Sequence, residues 1–122
     1  MAYLNDNVFD NGLSWLVTNG TRVDICSSEP ATYAAATGAA SLGNKTGLTV
    51  GSPEAGDIDG RKVVVPAITD GTVTGTDTAT HWALTDGTGV LVATGALSAS
   101  QAVTEDNTFT LAAFDITLRA PS

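Results

Sequence analysis

The spacing of apolar residues changes once, near Gly20, and the change divides the chain. Before it, Val8, Phe9, Leu13, Leu16 and Val17 recur at helical spacing. Asp6 or Asn7 can cap the first turn, and Asn19-Gly20 supplies a stop, because glycine tolerates the left-handed conformation at a helix end. Gly12 interrupts this stretch, so residues 1–20 read either as a short amphipathic helix or as an extended arm.

After Gly20 the punctuation is that of β structure. Thr21 to Ser27 alternates, with Val23 and Ile25 on one face. The segment EPATYAAATGAASLGNKTG has no period of two; its Ala-rich centre fits one helical turn or an irregular loop. Leu48 to Gly51 reads as a short strand and PEAGDIDG as a loop. Arg61 to Ile68 is the strongest strand by composition, and its three consecutive valines imply burial on both faces. Pro66 lacks an amide donor, which predicts an edge position or a bulge there. Asp70-Gly71 reads as a turn into TVTGT, which ATHWALTD continues. Asp86-Gly87 reads as a hairpin turn into VLVATGALS, and 101–107 as a polar connection.

The stretch TFTLAAFDITL breaks its own alternation. Phe109 and Leu111 are odd, whereas Phe114, Ile116 and Leu118 are even. Side chains alternate faces along a strand, so the odd residue must be absorbed near Ala112-Ala113. A bulge does this, and so does a bend where the chain passes from one sheet to another. Together these elements predict an all-β, single-domain antiparallel β-sandwich of about seven strands. Residues 1–20 form its N-terminal helix or arm, and residues 21–122 the sandwich. Its predicted core is Val23, Ile25, Val64, Trp82, Leu84, Leu91, Phe109, Leu111, Phe114 and Ile116.

Composition narrows the function classes. A length of 122 residues suits one domain. The net charge is −8, with five basic residues that are mostly dispersed. Binding a phosphate backbone needs several Lys or Arg to converge, so a nucleic-acid partner is not expected. The apolar run Leu13–Val17 is too short to span a membrane or direct export. No membrane partner is therefore expected, and synthesis in a cytoplasm is. Cys26 is the single cysteine, which rules out an internal disulfide and reads as a small buried filler. Charged residues make up only 15%, replaced by Thr, Ala and Gly. A surface of short side chains loses little entropy when a partner covers it, which points towards assembly.

Candidate chemistry is sparse. His81 is the only histidine, flanked by Thr80 and Trp82, and reads as a sheet-surface residue. Cys26 and His81 are too few for a structural zinc site. Asp57 and Asp59 in DIDG, and Glu105-Asp106-Asn107, resemble oxygen-rich calcium loops. However, Asp-Gly is a common turn pair and no bidentate glutamate follows. No phosphate-cradling glycine loop is present. Trp82 reads as a core residue between sheets, with a ligand-stacking platform as the rarer alternative. Trp15 either covers one end of the sandwich or anchors into a partner. The expectation is no catalytic residue, no cofactor and no metal. Tyr3, Phe9, Trp15 and Leu16 are the candidate partner-binding residues.

Arg61 to Leu118 carries a resemblance as a block. Its valine-rich strand, Thr-rich hairpin, HWALTD, LVATGALSASQAVT and NTFTLAAFDI resemble small virion proteins of tailed phages. YLNDNVFDNGL and ICSSEPATYAAAT extend the likeness over nearly the whole chain. The group is similar to capsid decoration (cement) proteins and other minor head or tail proteins. The resemblance implies a non-enzymatic structural protein of the virion. Its expected partner is the major capsid protein or another virion protein, with a homo-oligomer, a trimer, as its own state. A tail, baseplate or fibre component and a carbohydrate-binding module are the alternative readings.

Overall fold

The structure is a computed structural model. It describes the backbone of residues 3–4 and 6–11 and the whole of residues 12–57 and 61–118. Its elements are β1 (Tyr3–Leu4), α1 (Asp6–Asn19), β2 (Arg22–Cys26), α2 (Tyr33–Thr37), β3 (Ser41–Lys45), β4 (Glu54–Ala55), β5 (Arg61–Val65), β6 (Ile68–Val73), β7 (Asp77–Thr85), β8 (Leu91–Val103), β9 (Thr108–Leu111) and β10 (Phe114–Leu118). The strands form a seven-stranded sheet of order β1-β8-β7-β2-β3-β6-β9 and a three-stranded sheet of order β10-β5-β4. Every pairing is antiparallel. The protein is thus a β-sandwich in the broad sense, with a short N-terminal helix.

The larger sheet curls. Strands β8 and β9 stand far apart in its order, yet the Gln101 amide Nε2 donates to the Thr110 carbonyl across 3.1 Å. The main core fills the concave side, where Val23, Ile25, Leu84, Val92 and Phe109 meet Val63, Val65 and Ile116 of the smaller sheet. Burial of such side chains contributes roughly 1.5–3 kcal/mol each. The convex face of β2 is covered as well. Segment 27–40, with α2, places Ala36 and Ala40 over Cys26, Ala83 and Leu91 in a second cluster. Thr32 caps α2 by accepting from the Ala35 amide at 3.1 Å.

Helix α1 kinks at Gly12, whose φ of 71° is left-handed backbone that a glycine adopts without strain. Beyond the kink, Leu13 and Leu16 enter the main core. The Gly20 amide closes the helix on the Leu16 carbonyl at 2.7 Å. Gly20 serves here through close approach rather than through a left-handed stop: a Cβ on it would lie 2.9 Å from both Leu16 O and Leu84 Cδ2.

The structure corrects several sequence expectations. Arg61–Val65 is the central strand of the smaller sheet, not an edge; Pro66 ends the strand, and β6 begins in the other sheet. Asp70-Gly71 is no turn, for both residues lie within β6 at a register shift. Leu48–Gly51 is irregular, held by Leu48 N to Thr21 O at 2.9 Å and Gly51 N to Val64 O at 3.0 Å. Ser41–Lys45, unmarked by alternation, is a strand, and β8 runs on to Val103 through part of the expected polar connection. The parity break at Ala112-Ala113 is the passage between sheets: β9 lies in the larger and β10 in the smaller. Of the predicted core, Val64, Trp82, Leu111 and Phe114 are only half-buried, and Leu91 belongs to the second cluster.

Candidate functional site

Among the described residues a concavity lies at the seam between β8 and β9, the strands that the curl of the larger sheet brings together. Its first wall is a wide bulge in β8. His81 pairs with Ala96 and Ala79 with Gln101, so Thr80 on β7 faces four residues, Leu97–Ser100, on β8. These four therefore have no partner in the β7 ladder. The opposite wall is Thr110 and Leu111 of β9 with the Ala112-Ala113 link. Trp82 and Phe114 stand at one end, ring centroids 4.3 Å apart and tilted by 35°. The cavity measures about 520 Å³ and is open on one side. None of its described lining residues is ionisable, although the chain carries −8 overall.

Trp82 is held by its strand neighbours. It pairs with Gly95, and the indole lies over that glycine: a Cβ there would be 2.6 Å from Cζ2 and 2.8 Å from Nε1. Phe114 opens β10 directly after the passage between sheets, which sets its ring beside the indole. Sequence reasoning placed both rings in the core. The signals for the site were the SAS run after LVATGAL, the Ala112-Ala113 irregularity and the stacking alternative for Trp82. The bulge itself had no signal.

Hairpin β7–β8 is pinned at its far end. Asp86 Oδ1 accepts from the amides of Thr88, Gly89 and Val90 at 2.9, 2.9 and 3.0 Å, and Gly87 has φ 79°. Partial burial pushes the Asp86 carboxyl up, but the three amides outweigh this and hold it below the usual range. The expected hairpin at Asp86-Gly87 is therefore present.

The remaining candidates that are described have structural surroundings. Leu16 is fully buried in the protein's own core, and Trp15 is half-buried against it. The side chains of Tyr3 and Phe9 lie outside the described residues. The Thr80 hydroxyl donates to Ser27 O at 2.9 Å, so His81 Nδ1, 2.9 Å away, donates to Thr80. Burial, then the Asp24 charge, pushes the Cys26 thiol up to about 12, which suits a filler and not a nucleophile. The buried Asp24 binds Arg22 at 2.7 and 2.9 Å and accepts from the Ser41 hydroxyl at 2.6 Å. Asp57 and Asp115 flank the Lys62 ammonium at 2.7 and 3.1 Å. Asp59 lies outside the described residues. Asp106 has φ 74°, and its amide and that of Val73 tie the 105–107 loop to β6. Among the described residues no three metal-ligating side chains gather, and no helix is long and apolar enough to cross a membrane. No family model, curated protein or solved structure matches the chain.

Proposed function

We propose that this chain is a structural protein of a tailed-phage particle. In this reading it is a decoration protein that binds the outer surface of the major capsid protein lattice and stabilises the head. The observation that carries the proposal is the Arg61–Leu118 block, which resembles small virion proteins and forms strands β5 to β10. The surface chemistry is compatible with such a role. Exposed positions such as Thr72, Thr74, Thr76 and Thr78 are short and uncharged, so a partner can cover them with little loss of side-chain entropy. The acidic chain favours a neutral or basic docking face on the shell, since like charges repel. Many weak contacts repeated over a lattice add up to a firm attachment.

The test is to purify particles from infected cells, identify this chain by mass spectrometry and locate it in an electron-microscopy map. Density on the outer capsid surface, clustered about a local three-fold axis, is the expected result. Density in the tail or baseplate assigns the chain to the alternative virion position. Its absence from particles removes the virion reading altogether.

A further inference from the structure

We infer that the seam cleft between β8 and β9 is a binding site for a neutral saccharide. The inference does not rest on a virion role. A sugar ring offers two chemistries at once: hydroxyls around its rim and a weakly positive C–H face. The cleft offers the complement of both. The half-buried Trp82–Phe114 pair lines one end of the cleft and supplies aromatic surface for C–H groups, although the two rings cover part of each other's faces. Ser98, Ser100 and Thr110 supply hydroxyls, and Gln101 keeps its amide oxygen beyond the bond its nitrogen makes to Thr110 O. The backbone of Leu97–Ser100, outside the register of β7, lines the same wall.

Three further observations narrow the ligand class. The volume of about 520 Å³ falls within the range of small-ligand sites. The described lining has no ionisable side chain, so it offers an acidic sugar or a phosphorylated ligand no counter-charge on a chain of −8. The open, polar-sided form disfavours a purely apolar ligand, which needs enclosure to shed water. The aromatic pair is also set in place before binding. Trp82 rests on Gly95 and beside Phe114, so little side-chain freedom remains to be lost.

The experiment is a printed array of neutral and acidic oligosaccharides, together with extended Ser/Ala peptides, probed with the full chain and with Ala99→Trp. Ala99 is exposed in the cleft wall, so the indole fills the site without entering the core. Ala112→Trp does the same from the other wall, and circular dichroism confirms which variant is folded. The expected result is binding to one or more neutral glycans, at least tenfold weaker in the folded filled variant and absent for acidic glycans. Replacing Ser98 and Ser100 together by Ala should weaken the same glycans severalfold. An array without glycan binding, equal binding of acidic glycans, or binding untouched by both filled variants overturns the inference. Binding of the peptides alone also overturns it and assigns the cleft to an extended chain.

Discussion

The sandwich uses one local device twice, and the two copies differ in what surrounds them. At Gly71 the ring of Phe109 lies across the cross-strand glycine, so close that a Cβ would fall 2.1 Å from Cε2. At Gly95 the indole of Trp82 does the same at 2.6 Å. In both, a flat ring takes the space that a glycine leaves on the pleated surface. Phe109 is then sealed inside the core at 2% exposure, whereas Trp82 ends half-buried beside an open cleft. The first copy is there to close packing. The second leaves the ring half-buried in the lining of the cleft. Identical local geometry thus serves stability in one place and lines a cleft in the other, and only the third partner decides which.

The sharpest way to break this comparison is Gly71→Ala. Phe109 has nowhere to move, so the added methyl should destabilise the fold by about 3 kcal/mol, read as a lower denaturant midpoint. Gly95→Ala should cost less, about 1–2 kcal/mol, because Trp82 can swing towards the cleft. It should also shift tryptophan emission as the stack on Phe114 opens. Equal losses at the two glycines would mean that the cleft is no freer than the core.

A smaller effect sharpens the comparison by acid. Asp86 anchors the hairpin that carries both Trp82 and Gly95. Its folded carboxyl titrates below the ordinary range, so its stabilising contribution is complete above the unfolded pKa and is lost as pH falls through the folded one. Asp86→Asn should therefore flatten the fall of Tm with acid, and Asp86→Ala should cost about 1 kcal/mol near neutral pH. A Tm profile identical to that of the unmodified chain would count against the turn as an anchor. The smallest effect belongs to Ala99→Trp, within about 0.5 kcal/mol of the parent by the same melts.

Much of this architecture can be read from the residues. Strand β2 follows from Val23 and Ile25, the hairpin from Asp86-Gly87, and the passage between sheets from a parity break that strict alternation forbids. Other features have no local signal. SLGNK carries one large apolar residue, so β3 exists only because β2 and β6 pair with it. Pro66 excludes a continuous ladder, yet the choice between edge, bulge and sheet change depends on where the partner strands lie. Asp70-Gly71 looks like a turn because the pair usually is one. Here the glycine answers to Phe109, a residue far along the chain. The candidate site is the least legible part, since its walls come from a bulge and a link whose meaning lies in the curl of the sheet. The rings were visible as Trp82 and Phe114, and their half-exposure was not.

One feature of the fold also governs the order in which it can be made. Ile68 pairs with Leu111 in the larger sheet, and Val65 with Phe114 in the smaller. Pro66-Ala67 and Ala112-Ala113 therefore pass between the sheets side by side, as a two-stranded strap. Neither half of the strap has a partner nearby in sequence. As the chain leaves a ribosome, β5 has only β4 and β6 only β3 to pair with until residues 108–118 have emerged, while the β7–β8 hairpin can already close on its own turn. Closing contacts between such distant residues is slow, on the millisecond-to-second scale of all-β domains. The nascent protein thus spends that interval with one edge of its most valine-rich strand unpaired, and completes both sheets in one late step.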